Sequence, residues 1–204
     1  MRNSARSTHG TARDVFASHG AMSTMQAIRS GVHPATLYRM RDSGELIQLA
    51  RGVYRLASLP PVTHPDLVAV ASKSPKAVIC LISALAYHGL TTQIPHEVSI
   101  ALPPGLKGPR MSHPPIRVFH FSGQTMEAGR KTHKMDGIEV SVYNAEKTIA
   151  DCFRLRNKIG EDVAIEALRI YVRRRGLNID QLLKYSKICH VERVIQPFLA
   201  VLLS

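Results

Sequence analysis

Residues 23–56 read STMQAIRSGVHPATLYRMRDSGELIQLARGVYRL, and this stretch decides the fold. Ser23, followed three residues later by Gln26, has the form of a capping box. In that motif the serine hydroxyl accepts from the third backbone N–H while the glutamine side chain accepts from the serine N–H. It predicts a short helix through Arg29, stopped at Gly31. Pro34 suits a first helical turn, where its missing N–H would go unbonded anyway. A helix over Pro34–Asp42 follows, with Leu37 and Met40 turned inward and Ser43-Gly44 ending it. Two short helices across a glycine turn make a helix-turn-helix. Leu46–Ala50 and Val53–Ala57 then read as strands joined at Arg51-Gly52, where glycine supplies the positive φ of a tight hairpin. A hairpin directly after the second helix is the wing of a winged helix. Upstream, a helix over about Thr8–Ser18 places Ala12, Val15 and Phe16 on one face and ends at His19-Gly20.

The charge agrees with this reading. The 204 residues hold 27 Lys+Arg against 15 Asp+Glu, a net charge of +12. A hydrophobic fraction of 45% is too high for a disordered polybasic tail. The balance points toward a polyanion. Residues 1–59 carry eight arginines, no lysine and three acids, a net +5; residues 60–204 carry the other +7. Arginine's planar fork suits phosphate and guanine. Apolar runs such as Ala77–Ala86 fall well short of the roughly 20 residues of a membrane span. The polar start lacks the apolar core of a secretory signal. Cys80, Cys152 and Cys189 give no pairing framework, which favours a reducing cytoplasm.

Leu59-Pro60-Pro61 reads as a linker, dividing the chain into a winged helix-turn-helix over 1–59 and a second domain over 60–204. That domain is expected to be α+β, with a small sheet and a helical C-terminal half. Helices are expected over Asp66–Ser72 and Val78–Tyr87, and strands over Glu97–Leu102 and Arg117–Phe121. A hairpin is expected across Asp136-Gly137, with Ile138–Val142 as its second strand. Helices then follow over Ala145–Arg156 (capped by Asn144), Glu161–Arg174, from Asn178 or Asp180 to Ile188, and Glu192–Leu203.

The pattern Gly31-Val32-x-x-x-Thr36-Leu37-Tyr38-Arg39, then Gly44-x-Leu46 and Arg51-Gly52-Val53-Tyr54-Arg55-Leu56, resembles the winged helix of the AbiEi family. Those proteins are antitoxins and transcriptional regulators of type IV toxin–antitoxin systems. Ser83-Ala84-Leu85-Ala86-Tyr87-His88-Gly89-Leu90 and Ala145-Glu146-Lys147-Thr148-Ile149-Ala150-Asp151 resemble the family's C-terminal domain. The resemblance covers Ala12 to Leu203. It implies a cytoplasmic, DNA-binding repressor without cofactor or metal, paired with a nucleotidyltransferase-like toxin. A winged helix with one recognition helix reads a short half-site, so two copies of the chain on an inverted repeat of the operator are expected, meeting at least on DNA. A solitary regulator without a toxin partner is the alternative within that class.

On a winged helix the second helix enters the major groove. His33, Ala35, Thr36, Tyr38 and Arg39 are the candidate base-facing residues, with Arg39 suited to guanine O6 and N7. Arg51 and Arg55 are candidates for phosphate or minor-groove contact. Arg173, Arg174 and Arg175, with Lys184 and Lys187, form a second candidate phosphate set, although cations at a helix end also complement its dipole. A terminal helix rich in Val, Ile and Leu is expected to be buried mainly in the core.

The sequence offers little toward catalysis. Glu146 and Asp151 are five residues apart and do not share a helix face. Capping and pairing within the helix account for Glu146, Lys147 and Asp151 more simply. Ser83 and His88 are likewise poorly spaced for a nucleophile and its base, and His88 is expected to bind its own helix's carbonyls. Cys189-His190 lacks the partners of a zinc site. A nuclease or nucleotidyltransferase with its chemistry in the C-terminal domain is the alternative from the enzyme class.

Overall fold

A computed structural model describes residues 2–203, with side chains from residue 10 onward. It divides into two compact units. The first gathers residues 1–75, 111–114 and 133–140, and the second holds 76–110, 115–132 and 141–204.

In the first unit, α1 (Arg2–His19) ends where Gly20 turns to φ +78°. A short strand β1 (Met22–Ser23) leads into α2 (Thr24–Arg29). Both halves of the Ser23–Gln26 capping box form: Gln26 N donates to Ser23 Oγ at 3.2 Å, and Ser23 N donates to Gln26 Oε1 at 2.8 Å. Helix α3 spans Pro34–Asp42 with Pro34 in its first turn. Strands β2 (Leu46–Ala50) and β3 (Val53–Leu56) form the wing, with a register irregularity between Gln48 and Ala50. β1 pairs antiparallel on the far side of β3, giving the order β1-β3-β2. Ala12, Phe16, Ala27, Leu37, Met40 and Leu46 make the core. Fully burying Phe16, Leu37 or Met40 contributes roughly 1.5–3 kcal/mol each.

The first unit runs past the expected boundary at Pro60-Pro61. Helix α4 (Pro65–Lys73) packs on β2 and remains with it. The prolines start no new unit because Arg55 Nη2 donates to the Pro60 carbonyl at 2.6 Å, tying that segment back to the wing.

The second unit is α+β, as expected. Strand β4 (Val78–Ile79) opens it, followed by α5 (Leu81–Tyr87), β5 (Val98–Leu102), β6 (Ile116–His120) and a single turn α6 (Gln124–Glu127). β7 (Arg130–Met135) and β8 (Ile138–Tyr143) form the hairpin across Asp136-Gly137, whose tip, residues 133–140, belongs to the first unit. The sheet order is β6-β5-β4-β8-β7, with β4 antiparallel to β5 and parallel to β8, and β5 parallel to β6. The expected helix over Val78–Tyr87 is therefore a strand and then a helix. Val78 and Ile79 are at most 1% exposed in the central strand. A continuous apolar run fits a buried strand as well as a helix.

Helices α7 (Ala145–Arg154), α8 (Arg156–Ile159), α9 (Glu161–Val172), α10 (Ile179–Ile188) and α11 (Glu192–Leu203) complete the fold. α7 is the hub, packing against α5, α9 and α10. α11 buries Ile195 and Leu199 but leaves Val201 and Leu203 exposed. No described helix is long and apolar enough to cross a membrane.

Candidate nucleic-acid interface

The interface is built on α3 and the wing of the first unit. His33 caps α3: its Nδ1 accepts from the Ala35 N–H at 3.2 Å. The 3.6-residue period then places Ala35, Tyr38 and Arg39 on the exposed face, with Leu37 and Met40 opposite. Tyr38 is half-exposed beneath the Arg41 guanidinium, 5.0 Å from the ring centre, and Arg41 pairs with Asp42 at 2.7 Å. Arg39 is exposed and has no ion-pair partner among the described residues. Arg51 is exposed at the wing turn. That turn is fixed in place because Thr24 N donates to the Gly52 carbonyl at 2.9 Å, and Thr24 Oγ1 reaches the same oxygen at 3.3 Å. The start of one helix thus holds the tip of the wing.

Two sequence candidates do not face outward. Thr36 is only 7% exposed, sharing the inner face of α3 with Leu37 and Met40. Arg55 is 3% exposed, and its Nε lies 2.9 Å from Asp136 Oδ2 while its Nη2 binds Pro60 O. Nearness to the wing tip in sequence is what suggests an outward arginine. The hairpin tip at residues 133–140 covers that face and supplies the counter-charge. The approach is close: Ala21 N donates to Asp136 O at 2.6 Å. A Cβ on Gly137 would lie 1.5 Å from the His19 carbonyl oxygen. Tyr54 and Leu56 are buried packing residues.

The other basic set lies in the second unit. Arg173, Arg174 and Arg175 follow α9 and are exposed, but Arg174 Nη2 donates to the Gly89 carbonyl. Lys187 pairs with Glu192 at 3.5 Å, and Lys184 is exposed. Lys184 and Lys187 border an open groove beside Leu183 and Ile188.

The helical pairing expected of Lys147 and Asp151 forms on α7, but its depth was not legible, because the cluster is buried there. Asn144 caps the helix, accepting from Lys147 N at 3.0 Å. Lys147 Nζ then donates to Asp151 Oδ2 one turn later, and both side chains are 0% exposed. Arg154 Nη2 approaches Asp151 Oδ1 at 3.1 Å, and Cys189 Sγ donates to the same oxygen at 3.4 Å. Lys147 Nζ also lies 4.3 Å from the Tyr143 ring centre. Burial pushes the Asp151 carboxyl up, while Lys147 and Arg154 pull it back down. Two donors on its oxygens, Lys147 and Cys189, with the Arg154 cation 3.1 Å away, make the arrangement of a carboxylate. The i, i+4 spacing of Lys147 and Asp151 signalled the pairing; their burial depends on helices far along the chain.

Burial also raises the thiols: Cys80 and Cys152 stand well above the ordinary range, and Cys189 is pushed up to about 12. Thiols held protonated are poor nucleophiles. His88 Nε2 reaches beyond its own helix to the Tyr143 carbonyl of β8 at 2.7 Å. Ser83 Oγ accepts from Ser99 N at 2.9 Å, a packing role within the sheet layer. Among the described residues, no group of three or more His, Cys, Asp or Glu is placed to hold a metal ion.

Comparison with known proteins agrees with the first unit's architecture. Residues 2–57 match the family described as transcriptional regulator, AbiEi antitoxin. The crystal structure of the RV2827C protein from Mycobacterium tuberculosis is similar in fold, with a TM-score of 0.52 and 15% sequence identity. The match covers 96% of this chain and 80% of that one. No curated protein matches the sequence. The segment with the capped α2, the Pro34-initiated α3 and the Arg51-Gly52 wing is thus similar, over residues 2–57, to the AbiEi antitoxin family of transcriptional regulators.

Proposed function

We propose that the chain is a sequence-specific repressor of duplex DNA that controls its own operon as the antitoxin of a type IV toxin–antitoxin system. The observation carrying this reading is the placement of Arg39 and Arg51. Both are exposed and without an ion-pair partner among the described residues, one on the groove-entering helix and one at the wing tip. His33, Ala35 and Tyr38 complete the face that meets base edges, and Arg51 meets a phosphate. One recognition helix reads a short half-site, so two copies occupy an inverted repeat. Arg173, Arg175 and Lys184 add sequence-independent phosphate contacts.

The test begins with selection of bound duplexes from a random pool, followed by titration of the selected site at several salt concentrations. Arg39→Ala should remove discrimination between selected and random DNA. Arg51→Ala should weaken both and reduce the salt slope by about one. Equal losses on all sequences for Arg39→Ala would exclude it from base reading. The antitoxin role is tested by co-expression with the toxin reading frame beside the gene; restored growth supports it, and unrelieved toxicity refutes it.

A further inference from the structure

The second unit contains a cleft of about 330 Å³ along β6, and its fixed charges are all positive: Arg117, Arg154 and Lys158. No acidic side chain is among its described lining residues. Arg117, Phe119 and Phe121 alternate onto one face of the strand end. Arg117 lies 5.2 Å over the Phe119 ring and Arg154 lies 4.2 Å over Phe121. Stacking holds a planar guanidinium in a fixed orientation, and guanidinium sheds water more readily than ammonium. Two further contacts fix these groups. Arg117 Nη2 donates to the Lys158 carbonyl at 3.2 Å, and Arg154 Nη2 is 3.1 Å from Asp151.

The charge behind the cleft does not balance. Asp151 is one carboxylate between two cations, Lys147 and Arg154. The cluster carries a net positive charge beside aromatic walls, where charges are poorly screened. Glu97 approaches Arg117 at 3.5 Å, but both are 42% exposed, so their attraction is screened by water. The cleft thus presents oriented donors and unmatched positive charge with room for a small molecule. Its volume is at the lower end of the range for small-ligand sites.

We propose that this cleft binds the phosphate group of a small, nucleotide-sized ligand, with Arg117, Arg154 and Lys158 as donors. Tetrahedral phosphate oxygens accept from the remaining guanidinium N–H groups and an ammonium, the strongest class of protein hydrogen bond. The site is separate in residues from the DNA-facing set on α3 and the wing.

The test is calorimetric titration of the full chain with pyrophosphate and with ATP, at constant ionic strength against chloride. Saturable one-to-one binding is expected. The pair Arg117→Glu and Lys158→Glu should weaken it about tenfold or more. The milder Lys158→Gln, at an exposed position, should give a smaller loss and covers the case in which the double variant fails to fold. Arg39→Ala with Arg51→Ala should leave phosphate binding unchanged, which separates this proposal from the DNA-binding reading. Absence of saturable binding, or equal binding by Lys158→Gln and the parent chain, would overturn it. So would binding lost with the α3 and wing arginines, or uptake of single-stranded oligonucleotide alone.

Discussion

Removing either charge of the buried α7 pair should destabilise the second unit, and the two losses should be unequal. Lys147→Met retains the volume of the chain but deletes the ammonium. Asp151 then keeps Arg154 at 3.1 Å and the Cys189 thiol, so one cation still balances one carboxylate. The lost pair and the lost contact with the Tyr143 ring together should cost about 2–3 kcal/mol, below the usual penalty because a second cation remains. Asp151→Asn is worse. It leaves Lys147, with no exposed side-chain surface, without a counter-charge, while Arg154, at 24% exposure, can turn toward water. The expected cost is about 4–5 kcal/mol, near the upper end for a broken buried pair. The double variant removes both buried charges and should cost at least about 2 kcal/mol less than the sum of the singles. Urea midpoints followed by far-UV circular dichroism at pH 7 measure all three. An inverted order, or additive losses, would mean that Asp151 is neutral in the fold and that the cluster is not ionic.

Other expectations concern local devices. Ser23→Ala removes one half of the capping box and should lower the stability of the first unit by about 1 kcal/mol, read from its urea midpoint. Gly137→Ala forces a side chain into φ +83° and against the His19 carbonyl, costing upward of about 1–3 kcal/mol. Hydrogen exchange should then show the 133–140 tip opening; protection equal to the parent would place the tip elsewhere. The three thiols should resist a disulfide reagent at pH 8 in the folded chain and react on unfolding. The folded Cys189 ionises near 12 and the unfolded thiol near 9.0, so its contribution is whole below 9 and is lost as pH rises toward 12. Stability that holds constant across that interval would refute the burial argument.

The sequence predicted α2, α3 and the wing closely because their boundaries are set by local chemistry. The serine–glutamine box, the proline in the first turn and the glycine at the hairpin act within four residues. The Asp136-Gly137 hairpin was legible for the same reason. Val78–Tyr87 was not, because the central strand exists only where β5 and β8 flank it, and nothing within the segment records those neighbours. Arg55 is the same problem at the candidate site: its partner Asp136 lies 81 residues away. Arg39 and Arg51 read correctly as exposed, since an amphipathic helix and a turn tip define their outer faces without distant partners. The charge cluster on α7 gave a pairing signal but no depth signal, because its burial is imposed by α5, α9 and α10.

The winged helix of this chain is not a portable cassette. A fragment cut after Leu56 or Ala57 would keep the recognition helix and both wing strands, yet leave Arg55 without Asp136 and without the Pro60 carbonyl. An enclosed guanidinium with no counter-ion is costly. Recombination that joined only this reading head to a foreign domain would therefore inherit a misfit in the strand behind the wing. A graft of the reading head is therefore expected to need Asp136, carried on the 133–140 hairpin, to stay folded.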